Sequence, residues 1–240
     1  MWAFFATFSN YFLGMFVAMA INKKGIKFKK FWRTVLVMTI AIPQFVSLLY
    51  VSKLFDATGV IGKFLLEWNL LPQSMIEAHN LSLWKDPISA RILLIIVNIW
   101  VGIPYIMLMA TGILMNIPQD LYESSKIDGA SPWQQYSKIT LPYMMFVMGP
   151  YLLTSFVGNL NNFNVIYLLS GGGPGDLSQY TNGAKGTDLL ITWLYKLSLG
   201  ADRNYKLASV IGIIVFLISA ILSLVVYNRS SAVKGEEHFQ

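Results

Sequence analysis

Five runs of about 20 mostly apolar residues, near 2–21, 34–55, 90–115, 143–169 and 205–227, restrict this chain more than any other feature it carries. Each is long enough for a helix to cross ~30 Å of hydrocarbon, and lipid offers no partner for backbone polar groups, so the runs must be helical. The composition agrees, with 55% hydrophobic residues, only 12% charged residues and a mean hydropathy of +0.54. The expected fold is therefore all-α: a polytopic membrane protein with five visible transmembrane helices, forming a single transmembrane domain over residues 1–240.

Orientation follows from charge. The linker after the first run carries Lys23, Lys24, Lys27, Lys29, Lys30 and Arg33, which the positive-inside rule assigns to the cytoplasm. Residues 56–88 and 170–204 then fall outside, and residues 116–142 and the C-terminal tail fall inside. The same lysines account for the net charge of +6 without nucleic acid. Met1 and Trp2 lead straight into an apolar run with no signal-peptide pattern, so the sequence reads as the later part of a longer protein.

Missing side chains exclude whole classes of chemistry. There is no cysteine, and the histidines are His79 and His238 alone, so neither a thiolate nor a histidine metal site is expected. No acidic or basic residue lies between Ile92 and Gln119, Leu141 and Gly175, or Leu207 and Asn228. Proton relays and membrane enzymes are built from such groups, so an ion-coupled carrier and a catalytic site are both disfavoured. The glycine-rich stretch around Lys185 is no phosphate loop, because Lys185 sits between Ala184 and Gly186 rather than at a Gly-Lys-Ser/Thr helix start. It reads as an external turn leaving a helix at Gly171–Gly175. No catalytic residue, metal or cofactor is expected on this chain, and energy for uphill movement has to enter elsewhere.

The inner segment "YESSKIDGASPWQQYSKITLP" at 122–142 is unusually organised for a connector. Pro118, Asp120 and Glu123 suit the start of a helix, and Gly129 suits the left-handed turn that ends it. Ser131, Pro132 and Gln134 then supply an N-cap, an N1 proline and a capping-box partner. The pattern predicts two short helices hinged on Gly129, the second stopping before Pro142.

This spacing, Glu123, Ser124 and Ser125, then Gly129, then Ile139, Leu141 and Pro142, resembles the "EAA" loop of ABC importer permeases, with serines where alanines are usual. The resemblance continues through "LLIIVNIWVGIPYIMLMATGILMNIPQDLYE", "NLNNFNVIYLLSGGGP" and "GTDLLITWLYKL", which are similar to the maltose/maltodextrin (MalF-type) permease family. It implies an ABC type I importer permease fold, N-terminal part missing, in a bacterial plasma (inner) membrane. The loop, with Asp128 beside its glycine, would dock into a cytoplasmic ATPase. Also implied are a second homologous permease subunit, a pair of cytoplasmic ATPase subunits holding ATP and Mg, and an extracellular sugar-binding protein.

Spacing also marks a substrate path. Ser155, Asn159 and Asn162 are spaced i, i+4, i+7 on one expected helix face, and Asn98, Gly102 and Tyr105 repeat that spacing. Amides within a span either bond a neighbouring helix or face a polyhydroxylated ligand, and the pattern leaves both open. The resemblance implies that Trp100, Val101, Gly102, Tyr105, Ser155, Gly158, Asn159 and Asn162 line the sugar site, with Gly158 in place of a bulky aromatic and Ile40 in place of a tyrosine. The function expected is transport of maltose or maltodextrin-like oligosaccharides; the alternative is a passive channel or a scaffold binding a soluble partner.

Overall fold

The computed structural model describes residues 1–23, 25–70, 82–175, 183–200 and 203–229, and every regular element among them is helical. Trp2–Asn22, Pro87–Asn116 and Tyr205–Arg229 each form one unbroken helix of sufficient length and apolarity to cross a bilayer. Lys24 of the first linker, parts of the external segments at 71–81, 176–182 and 201–202, and the tail from 230 to 240 lie outside the described residues.

Small residues set the central contact. The first helix buries Ala3, Ala6, Thr7, Asn10, Gly14 and Ala18, a stripe that lets it lie close against Pro87–Asn116. A Cβ on Gly14 would come within 2.6 Å of the Ile106 side chain. Below this contact Tyr11, Met15, Met107, Ala110, Met144 and Met148 form one buried cluster. A second, with Leu48, Trp84, Leu94, Val97, Val165 and Ile166, joins the other half of the molecule.

Three departures from the sequence reading matter. The second run is not a straight helix: Lys29–Ala41 and Gln44–Leu54 meet at a 94° bend. Pro43 stands at the break, where it cannot donate a backbone bond and disfavours helical geometry at Ile42, which is extended. Second, the helix begun at Pro132 does not stop before Pro142. Pro132–Gln135 passes through a π-helical turn, Tyr136–Thr140, into Leu141–Leu160, with the Leu141 N–H donating to the Tyr136 carbonyl. A widened turn of this kind absorbs the proline instead of ending the helix.

Third, the fourth run is interrupted at Asn161. The Asn162 side chain accepts from the Val165 N–H at 3.2 Å and caps a separate helix, Phe163–Ser170. Ser155, Asn159 and Asn162 therefore do not share one continuous helix face.

Candidate functional site

The elbow at Ile42–Pro43 opens a groove of about 250 Å³, walled by Thr39, Ile40, Ile42, Pro43, Gln44, Ser47, Trp100, Val101 and Tyr105. Trp100 and Val101 are neighbours on Pro87–Asn116 and Tyr105 lies one helical turn further on; together they bring the aromatic wall. Tyr105 also approaches Tyr151, with ring centroids 5.5 Å apart. Thr39, Gln44 and Ser47 bring polar groups from both sides of the bend, and Gln44 accepts from the Asn164 amide at 3.2 Å. Thr39, Gln44 and Ser47 were absent from the sequence reading, although Pro43 signalled the break that exposes them.

Asn98, Gly102, Asn159 and Asn162 lie behind this groove in an amide cluster that ties three parts of the chain together. Asn159 donates to the Thr7 hydroxyl at 3.0 Å, and its backbone carbonyl accepts from the Trp2 indole at 2.8 Å. Asn162 donates to Asn159 at 3.2 Å and to Asn98 at 3.3 Å. Gly102 packs against the Asn10 carboxamide, which a Cβ there would overlap. Here the amides bond neighbouring helices, one of the two outcomes the sequence left open. Ser155 is half-buried and Gly158 exposed, and a Cβ on Gly158 would meet nothing within 4 Å.

The inner loop is a tight hairpin. Gln119–Ile127 is followed by Gly129 at φ +79°, and Ser131 and Gln134 form the full capping box, with bonds of 2.7 and 3.3 Å. Tyr122 and Thr140 hydroxyls meet at 2.8 Å, and Gln135 donates to the Ser125 hydroxyl at 2.9 Å. That serine, in place of an alanine, adds a bond across the hairpin. Glu123 accepts from Gln119 at 2.7 Å and, with Ser124, Asp128 and Gly129, faces outward; Ile139 and Leu141 are half-buried and Pro142 is exposed. Sequence reasoning missed two apolar side chains flanking the glycine: Ile127 is 87% exposed and Trp133 71% exposed. Large apolar groups so bare on a polar loop mark a contact surface.

On the opposite side Lys196 pairs with Asp188 at 2.8 Å under the Gly171–Pro174 turn. Burial pushes the Lys196 ammonium below its ordinary value, while the Asp188 hydrogen bond and charge work against that push. The turn is pinned rather than loose: Thr187 donates its N–H to Gly172 O at 2.9 Å and its hydroxyl to Gly173 O at 2.6 Å. Leu190–Leu199 packs on the last helix, and Tyr195 meets Phe163 and Tyr167 edge to face. Among the described residues, no group of three or more histidines, aspartates or glutamates is close enough to hold a metal ion.

Residues 10–232 match the family described as the binding-protein-dependent transport system inner membrane component. The chain belongs to that family. Among curated members, the maltodextrin transport system permease protein MdxF of Bacillus subtilis is 35% identical over 98% of this chain. The galactooligosaccharides transport system permease protein GanP of the same organism is 36% identical over 98%, and the maltose/maltodextrin permease MalF of Escherichia coli 37% over 89%. These relatives are longer: the chain spans about half of MdxF and GanP, 54% of each, and 40% of MalF.

Bacterial ABC transporters supply the fold match. A bacterial alginate ABC transporter, solved with an alginate pentasaccharide-bound periplasmic protein, aligns with a TM-score of 0.73 at 24% identity, covering 95% of this chain and 75% of its own. A second bacterial ABC transporter, involved in import of the acidic polysaccharide alginate, aligns at 0.66 with 24% identity, covering 93% and 73%. At that identity the likeness concerns the fold, which is that of ABC importer permeases.

Proposed function

We propose that this chain is the transmembrane permease part of an ATP-driven importer of neutral oligosaccharides, maltose or maltodextrins foremost, in a bacterial plasma membrane. The observation that carries the reading is the groove at the bent span. Its wall offers two aromatic rings for sugar C–H faces and hydroxyl and amide groups for sugar hydroxyls, the mixture a carbohydrate needs in a largely apolar site. Among the described residues, no charged one lines it. An acidic polysaccharide would call for a cation there, so a neutral sugar fits better.

Trp100, Val101 and Tyr105 form the sugar-facing wall in this reading, and Gly102, Ser155, Gly158, Asn159 and Asn162 complete the path when the amide cluster opens. The Gly129 hairpin docks into a cytoplasmic ATPase, with Glu123 and Asp128 making polar contacts and Ile127 and Trp133 the apolar ones. ATP and Mg bind to a pair of such ATPase subunits rather than to this chain. A second homologous permease closes the pore, and an extracellular sugar-binding protein delivers the ligand. The near-equal identity to maltodextrin and galactooligosaccharide permeases favours a neutral oligosaccharide without choosing the glycosidic linkage.

The test is uptake by the reconstituted complex of glucose oligomers and galactooligosaccharides. Tyr105→Ala removes ring and hydroxyl, whereas Tyr105→Phe removes the hydroxyl alone. Stacking contributes about 0.5–1.5 kcal/mol beyond area burial, so alanine should raise the half-saturating sugar concentration several-fold more than phenylalanine. Wild-type uptake of every sugar by both variants would remove the groove from the transport path.

A further inference from the structure

The turn joining the first helix to the bent span is basic without any acidic counterweight. The sequence has no aspartate or glutamate before Asp56, and among the described residues no ion pair forms at this turn. Two of its cations are engaged within the protein. Lys29 donates to the Asn22 carbonyl at 3.2 Å, answering the end of the first helix, and Arg33 donates to the Asn22 side-chain oxygen at 3.2 Å. Asn22 in turn donates to the Thr111 hydroxyl at 3.0 Å, which fixes the turn to Pro87–Asn116. Lys23, Lys27 and Lys30 are exposed. The start of Lys29–Ala41 adds to their charge, because its first turn has no acidic side chain and no side-chain cap. Aromatic rings are interleaved with these lysines. Phe28 is 78% exposed and sits at φ +58°, a region that is unfavourable for a bulky residue, and Phe31 and Trp32 are exposed beside it. A strained backbone that holds a ring in water gains nothing, whereas the same ring among acyl chains is removed from water. Phe31, Val35 and Met38, all exposed, recur at i, i+4 and i+7, so the rings begin an apolar face that continues along the membrane-crossing helix.

We propose that this turn binds anionic phospholipids of the inner leaflet: Lys23, Lys27 and Lys30 donate to headgroup phosphates, and Phe28, Phe31 and Trp32 lie among the acyl chains. Clustered cations directly cytoplasmic to a membrane-crossing helix complement the negative surface of that leaflet. Lys29 and Arg33 act as positioning residues that hold the turn through Asn22. Lipid is favoured over a soluble partner because the exposed rings are continuous with a face that already meets hydrocarbon. The inference is independent of which sugar is carried.

The probe is phosphatidylglycerol, titrated into phosphatidylcholine nanodiscs that hold the assembled complex, with retained lipid counted by native mass spectrometry. Lys27→Gln combined with Lys30→Gln should raise the mole fraction needed for half occupancy roughly ten- to thirtyfold, since each lysine beside an anionic surface contributes about a factor of five. Lys27→Gln alone, expected at about fivefold, carries the test should the pair fail to assemble. Lys53→Gln combined with Lys63→Gln removes equal charge from the expected outer side and should leave the titration unchanged. Soluble glycerol phosphate has the phosphate without acyl chains and should not displace the lipid. Retention by the Lys27 and Lys30 variants equal to wild type overturns the inference. An equal loss in the outer pair overturns it as well, by reducing the effect to net charge, and so does displacement by glycerol phosphate, which would leave the rings without a role. Loss of the ATPase from the Lys27 and Lys30 variants with lipid retention unchanged would assign the turn to that partner instead.

Discussion

Gly129→Val is expected to reduce ATP-driven sugar uptake by on the order of tenfold while the complex still inserts and assembles, because strain of about 1–2 kcal/mol, worth that factor, is placed at the hairpin turn. Gly129 has φ +79°, and a Cβ added there would meet nothing within 4 Å. Only backbone strain separates valine from glycine, since no neighbour is struck. The rest of the hairpin is held by the Tyr122–Thr140 and Gln135–Ser125 bonds and the Ser131–Gln134 capping box. Relieving the strain requires rotating Gln119–Ile127 against the span that follows, at the expense of the Tyr122–Thr140 and Gln135–Ser125 bonds, which shifts Glu123, Ile127 and Trp133 relative to one another. Asparagine tolerates the left-handed region, so Gly129→Asn should retain most of the activity. Uptake is measured with reconstituted complex at matched protein levels. Equal activity for valine, asparagine and glycine would dissociate the turn from coupling.

The parts of this structure that were legible in the sequence are those fixed within a few residues. The capping box at Ser131–Gln134, the left-handed Gly129 and the apolar runs each depend on neighbours in the chain, and each is in place. The bend at Pro43 had a signal, since a proline inside an apolar run breaks or kinks a helix, but hydropathy averaged over the run hides it. At Pro142 the same rule misleads, because the π turn at Tyr136–Thr140 lets the helix continue. Nothing local distinguishes the two prolines. The bond between Thr7 and Asn159 joins residues 152 apart in sequence, and no periodicity reports such a pairing. Spacing did collect Asn98, Asn159 and Asn162 as polar groups in apolar spans. It could not decide that their present partners are one another and the first helix.

The outer corner gives the second large effect. Gly172→Ala is expected to release Leu190–Leu199 from the end of Phe163–Ser170, because the site combines φ +79° with no room: a Cβ would overlap both the Asp188 carboxylate and the Lys196 ammonium. The Asp188 side chain is 4% exposed, and besides Lys196 it accepts from the Lys185 N–H at 2.8 Å and the Thr192 hydroxyl at 2.9 Å. Displacing the ammonium leaves a buried carboxylate short of its countercharge. For fully buried pairs that costs about 3–5 kcal/mol; Lys196 is 21% exposed and water screens part of the charge, so roughly 2–3 kcal/mol is expected. Lys196→Met removes the same ammonium by another route, so the two substitutions should combine to less than the sum of their separate effects. The readouts are thermal unfolding of the solubilised complex and hydrogen exchange across 187–199. The corner also joins elements that run back to the amide cluster: Ser52 donates to Leu169 O at 2.7 Å, and Trp84 donates to Ser52 O at 2.9 Å, so the bent span, the Phe163–Ser170 helix and its Asn162 cap are connected. Loosening it should therefore raise the half-saturating sugar concentration as well as exchange. Unchanged protection at 187–199 in Gly172→Ala would show that the turn and the ion pair are not one unit.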